Sequence, residues 1–215
     1  MSALSVKNDA SLPQSLPGFD HVRRYRDITK GIIIAKLLPG DFYVTREDEV
    51  LDTVLGSCVA ACVRCPRLRM GGMNHFMLPR PSGAGADTWE DVRGRATRYG
   101  TASMEQLINR ILSVGATRGE LEVKVFGGAR VLTAMTDVGS HNVSFVRDFL
   151  KYEGLKVLAE DVGDTCPRHV QFFPSTGKVR VRHLGSSQQT GVASREEKYL
   201  KGLDQQPVGG EIDLF

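Results

Sequence analysis

Short apolar runs, broken by glycine and proline, dominate this chain, and only two stretches adopt helical spacing. Gly31 to Leu38 reads as a first strand, followed by a turn at Pro39-Gly40-Asp41. Phe42 to Val44 and Val50 to Leu55 are short strands that deliver the chain to Gly56-Ser57-Cys58. Val59 to Val63 is small and apolar, which suits a buried strand. Pro66-Arg67 reads as a turn and Met70 to Leu78 as the returning strand. A two-residue loop there sets position 64 opposite 69 and, by counting back, Cys58 opposite His75. Opposed residues share a face with Cβ atoms about 5 Å apart, and a slip of one residue separates them.

Further on, Pro81 to Asp91 is a loop rich in Gly, Pro and Ser. Tyr99 to Val114 carries Ala102, Leu107, Ile108, Ile111 and Leu112 at helical spacing, with Gly115 as its stop. Leu121 to Phe126 alternates as a strand and ends at Gly127-Gly128, where a tight turn or a close backbone approach is expected. Asn142 caps a second helix, Val143 to Glu153, closed by Gly154. Leu155 to Glu160, Val170 to Phe173 and Lys178 to Leu184 complete the strands. The pattern predicts an α/β fold, with a mixed sheet that includes antiparallel pairs. Its expected divisions are a flexible leader over 1–25, a domain over 26–185, and a linker with a C-terminal tail over 186–215. Within that tail Arg195 to Lys201 forms a short charged helix, and Glu211 to Phe215 frays. His21 to Arg26 reads as a solvated basic lead-in.

Composition narrows the function classes. The chain has 215 residues, 41% hydrophobic and 25% charged, with a net charge of +3. That charge is too small to suggest nucleic acid or an anionic membrane. The longest apolar run is interrupted by Lys36 and too short to span a bilayer, and Met1 to Asn8 lacks the apolar core of a signal peptide. Three of the four cysteines crowd into eight positions, Cys58 to Cys65. Residues so close along one strand cannot easily bridge one another, so reduced thiols and a cytoplasmic location are expected.

The cysteine cluster admits four chemistries. Cys58 beside His75 is a thiol whose ionisation an imidazolium supports, and the Gly56-Ser57-Cys58 backbone offers amides to an oxyanion. Cys58, Cys62 and Cys65 also show the C-x3-C-x2-C spacing of a radical SAM iron–sulfur site. Apolar Val59, Ala60, Ala61 and Val63, with Arg64 before the third cysteine, are the wrong context for that open loop. Cys58, Cys62 and His75 supply three zinc ligands, but no fourth stands at a familiar spacing and Cys166 is distant. Finally, a buried cysteine is simply a small hydrophobe, the preferred reading for Cys62 and Cys65. His141, His169 and His183 read as surface or structural residues. The arginines from Arg93 to Arg98 read as a solvated patch, and Gly127-Gly128-Ala-Arg130 lacks the Lys-Ser/Thr of a P-loop.

With these residues placed, the sequence resembles the chemoreceptor glutamine deamidase family, CheD. The resemblance is carried by Leu55-Gly-Ser-Cys-Val-Ala-Ala-Cys62, Gly71-Gly-Met-Asn-His-Phe-Met-Leu-Pro79, and Arg98-Tyr-Gly100 with Ala102-Ser-Met-Glu-Gln-Leu-Ile108. Lys124-Val-Phe-Gly-Gly-Ala129, Gly139 with Asn142-Val143, Glu160-Asp-Val-Gly163 and Pro174 to Gly177 extend it, so that it runs in order from about Gly31 to Leu184. It implies a layered α/β/α sandwich similar to bacterial toxin deamidases. The implied activity is hydrolysis of glutamine side-chain amides on methyl-accepting chemotaxis receptors, without metal or cofactor. Cys58 matches the family nucleophile and His75 its general base. Thr53 is the nearest candidate for the third member, with Asp52 one position earlier as the alternative. Implied partners are the receptors and a CheC-type phosphatase, so a pure adaptor role is the competing reading.

Overall fold

The computed structural model describes residues 12–79, 89–131 and 137–205. In chain order the strands are β1 (Arg23–Asp27), β2 (Ile32–Lys36), β3 (Phe42–Thr45), β4 (Glu49–Leu55), β5 (Val59–Cys65) and β6 (Met70–Asn74). After helix α1 (Trp89–Leu112) come β7 (Glu122–Gly127), helix α2 (Val138–Tyr152), β8 (Val157–Val162), β9 (Arg168–Phe173), β10 (Lys178–His183) and helix α3 (Ser186–Gln205). The result is an α/β sandwich, as the pattern of strands and helices predicts. Its strands divide between two five-stranded sheets, ordered β1-β2-β4-β9-β10 and β3-β6-β5-β7-β8. Both are mixed, with parallel pairs at β2·β4 and β7·β8.

The second sheet is the middle layer. The face of β5 and β6 that carries Val63 and Gly72 meets α1, where Leu107 closes on Gly72. The opposite face meets the first sheet. Arg64 donates to the carbonyls of Pro174 and Ser175 at 2.9 and 3.1 Å, and Lys124 donates to Gly177 at 2.8 Å. Residues from both sheets and all three helices join one buried cluster.

Four expectations change. The basic lead-in contains strand β1, because Arg24 is neutralised by buried Glu49 and also donates to the Pro13 carbonyl at 2.6 Å. The expected flexible leader places Phe19 and Val22 in the core, with Phe19 edge-on to Phe42 and Tyr43 at 5.1 Å. Residues 1–11 lie outside the described residues. The expected linker after Gly185 is a continuous helix, α3, since Val192, Tyr199, Leu200 and Leu203 fall on one face and bury there. α1 begins earlier than predicted, at Trp89, and takes in the end of the Gly/Pro/Ser loop. Residues 81–88 of that loop and the tail at 211–215 lie outside the described residues. Arg98 is exposed, whereas the side chains of Arg93 and Arg95 lie outside them.

Candidate active site

Cys58 stands between β4 and β5, one residue before the ladder begins. That ladder pairs Cys62 with Met73, Arg64 with Gly71 and Cys65 with Met70, and a bridge joins Val59 to Phe76. The expected pairing of 64 with 69 and of Cys58 with His75 is therefore two residues out of register. Pro66 has no N–H to continue the ladder, so the turn takes four residues, Pro66 to Arg69. It closes with Arg69 N–H on the Pro66 carbonyl at 3.0 Å and Arg69 at φ 49°. An even shift preserves the face. Cys58 and His75 remain on the same side of the sheet as diagonal neighbours instead of opposed ones. The predicted Pro39-Gly40-Asp41 turn then holds His75 by its backbone: Gly40 N–H donates to the His75 carbonyl at 2.7 Å, and His75 N–H to the Asp41 carbonyl at 2.9 Å.

Thr53 reaches the same spot from the first sheet. Leu51, Thr53 and Leu55 all point inward from β4 and are fully buried. The Thr53 hydroxyl lies 2.8 Å from His75 Nδ1 and donates to the Leu37 carbonyl at 2.9 Å. A hydroxyl has one proton, and the carbonyl takes it, so Thr53 Oγ1 accepts from Nδ1–H. This fixes the tautomer and leaves the lone pair on Nε2, which has no hydrogen-bond partner among the described residues. Burial pushes the imidazole pKa down from 6.5 to about 3, so the ring is neutral at neutral pH. Asp52, on the other face of β4, binds His169 Nε2 and Gln171 Nε2, the latter at 3.0 Å. Strand alternation brings Thr53, not Asp52, to His75.

The turn Gly56-Ser57-Cys58 forms a nest of amides, and a carboxylate fills it. Glu196 of α3 accepts from Gly56 N–H at 2.8 Å, Ser57 N–H and Oγ–H at 2.7 Å each, and Cys58 N–H at 3.3 Å. The Cys58 sulfur, a His75 ring nitrogen and a Glu196 oxygen all lie within 4.8 Å of one another. The thiol is held well above its usual pKa, by burial first and then by the charge and hydrogen bond of Glu196. Glycine at 56 leaves room for the seated carboxylate, since a Cβ there meets a Glu196 oxygen at 2.6 Å. The expected close approach at Gly127 is also present: at φ +109° its Cβ position lies 2.2 Å from the Cys58 carbonyl.

Residues 77–183 match the CheD family, described as CheD chemotactic sensory transduction. A protein of Halorhodospira halophila named "Probable chemoreceptor glutamine deamidase CheD" is 51% identical over 206 residues, covering 95% of each chain. Proteins of the same name from Hahella chejuensis and Saccharophagus degradans are 45% and 42% identical, over 94% and 100% of this chain and 95% and 100% of theirs. The chain belongs to the CheD family. The family match begins just after His75, and the similarity to the full-length CheD relatives extends beyond it on both sides.

Within this CheD fold the other cysteine readings fail on geometry. Cys58 and Cys62 are four residues apart along extended backbone, about 13 Å, and Cys65 faces the other way. No single cluster reaches all three, and Cys62 cannot join Cys58 and His75 on a zinc ion. Cys62 is instead a buried thiol whose pKa burial raises. Four donors converge on the Glu196 carboxylate, which suits an anion and disfavours a cation. Among the other histidines, His169 pairs with Asp52 and His183 with Asp161 on the surface.

The roles of two residues around the nest escaped the sequence reading. Asn142 does not cap α2; that is Asp137, which accepts from Ser140 N–H at 3.1 Å. Asn142 lies within the helix, fully buried, where it accepts from Leu78 N–H at 2.9 Å and donates to the Ser57 carbonyl at 2.8 Å. It ties the nest to the segment that follows His75. Asn142→Ala leaves both backbone groups without partners and is expected to lower stability by about 2 to 4 kcal/mol, read from urea unfolding. Glu196 is the second. Its signal was an acid midway along an apolar stripe of helical spacing, Val192, Tyr199, Leu200 and Leu203.

Proposed function

We propose that this chain deamidates glutamine side chains of chemoreceptors by thioester chemistry, acting in the cytoplasm on the receptors' cytoplasmic part. One observation carries the reading: a thiol and an unprotonated imidazole nitrogen border a nest of backbone amides that already holds a carboxylate, the group deamidation produces. The relatives' names give the substrate class, chemoreceptor glutamine. No described helix is long and apolar enough to cross a membrane.

The steps follow from the residues. The amide oxygen of the target glutamine lies in the nest of Gly56, Ser57 and Cys58 amides, which stabilise charge developing on it. His75 Nε2 takes the Cys58 proton while Thr53 holds Nδ1–H, and the thiolate attacks the amide carbon. The C–N bond breaks and His75 returns the proton to the departing ammonia. Water, deprotonated by the same nitrogen, attacks the thioester; the C–S bond breaks to leave glutamate and restore the thiol. The side chains of Cys58, His75 and Thr53 and the backbone amides suffice for these steps.

Incubation of the protein with receptor cytoplasmic fragments tests this. The expected result is ammonia release, matched by a one-dalton gain at specific receptor glutamines in mass spectrometry. Receptor binding with neither signal would establish an adaptor instead.

A further inference from the structure

The nest is not open. Cys58 has no exposed surface and His75 only 2%, so a side chain of another protein cannot reach the sulfur while α3 is seated. α3 is fixed there on both sides of Glu196: Val192 and Leu200 are buried, and the Tyr199 hydroxyl meets that of Tyr99 in α1 at 2.8 Å. Glu196 takes up all three nest amides and the Ser57 hydroxyl. A carboxylate oxygen also lies within 4.8 Å of the Cys58 sulfur, and His75 Nε2 is left without a partner among the described residues.

We propose that α3 is an intramolecular product mimic: Glu196 occupies the position of the reaction's glutamate, and the helix must leave for a receptor glutamine to enter. This inference rests on the deamidase reading and assigns its regulation to the chain itself. A buried carboxylate is costly unless fully hydrogen-bonded, and here the bonds are supplied by donors suited to an acyl oxygen. The raised thiol pKa accords with this, since departure of Glu196 removes both the adjacent charge and the burial that α3 imposes.

The same geometry predicts a self-reaction. In Glu196→Gln one carboxylate oxygen becomes NH2: the remaining oxygen keeps the Gly56 and Cys58 amides and the Ser57 hydroxyl turns to accept from the NH2, while the Ser57 N–H loses its acceptor. Cys58 attacks the Cδ of the substituted side chain, the Cδ–N bond breaks to release ammonia, and water cleaves the thioester. The residue returns to glutamate with a one-dalton gain.

The full-length Glu196→Gln protein, digested and weighed at the peptide bearing position 196, is expected to show that gain independently of protein concentration. The gain is expected to be absent when Cys58→Ala is added. Full-length Glu196→Ala is expected to deamidate receptor fragments with kcat/KM raised at least about tenfold, because the competent open form is no longer a minor population. If Glu196→Gln deamidates receptor fragments but keeps the amide at position 196, or if the receptor rate of Glu196→Ala equals that of the native protein, the inference falls and the deamidase reading stands. If neither position 196 nor the receptor is deamidated, both fall.

Discussion

Cys58→Ala is expected to abolish ammonia release from receptor fragments while leaving the protein folded. The sulfur is the group that bonds to the amide carbon, and no second thiol can substitute. Cys62 is about four strand residues away and Cys65 faces the opposite layer. Loss of a nucleophile leaves only what the nest and binding contribute, so the rate should drop on the order of 10⁴-fold or more. The structural cost is small by comparison. The thiol fills a tight site, but alanine retains the backbone amides that hold Glu196, and a cost of about 1 kcal/mol is expected in denaturant unfolding. Undiminished ammonia release by Cys58→Ala would remove the nucleophile from the proposed mechanism.

The second large effect is loss of stability in acid, through His75. Folding buries the imidazole neutral, with its pKa lowered from 6.5 to about 3, while the unfolded chain keeps the ordinary value. Between those two values the unfolded state binds more protons, so stability is full above about pH 6.5 and falls as the pH drops toward 3. Each pH unit in that window costs about 1.4 kcal/mol, so near pH 4.5 the loss from this one group is about 3 kcal/mol. Carboxylates also titrate in acid, and the comparison with His75→Gln isolates the histidine. The variant's urea-unfolding stability should depend less steeply on pH between 6.5 and 4.5. Equal slopes in the two proteins would mean that His75 is not held neutral by burial.

The element order from Gly31 to Leu184 was legible because strand and helix periods differ, and glycine and proline punctuate them. Cys58 and His75 could be placed on one face from a register that was itself wrong, because side-chain direction repeats every two residues and the error was two. Thr53 against Asp52 could not be decided in the same way. Val50 and Val54 are as apolar as Leu51 and Leu55, so either face of β4 could have been the inner one. What decides it is the first sheet packing on the second, which turns Leu51, Thr53 and Leu55 inward.

By itself, then, the sequence determined the α/β class and the pairing of one thiol with one imidazole, both written in local period and spacing, and it carried the family in its resemblance to other CheD chains. Only the tertiary structure decided which hydroxyl fixes the histidine tautomer, that Asn142 braces the nest, and that Glu196 fills it. Those contacts join residues 22, 64, 85 and about 140 positions apart. A short-range pattern cannot encode such a distance; only the closing of sheets and helices around a common core brings the partners together.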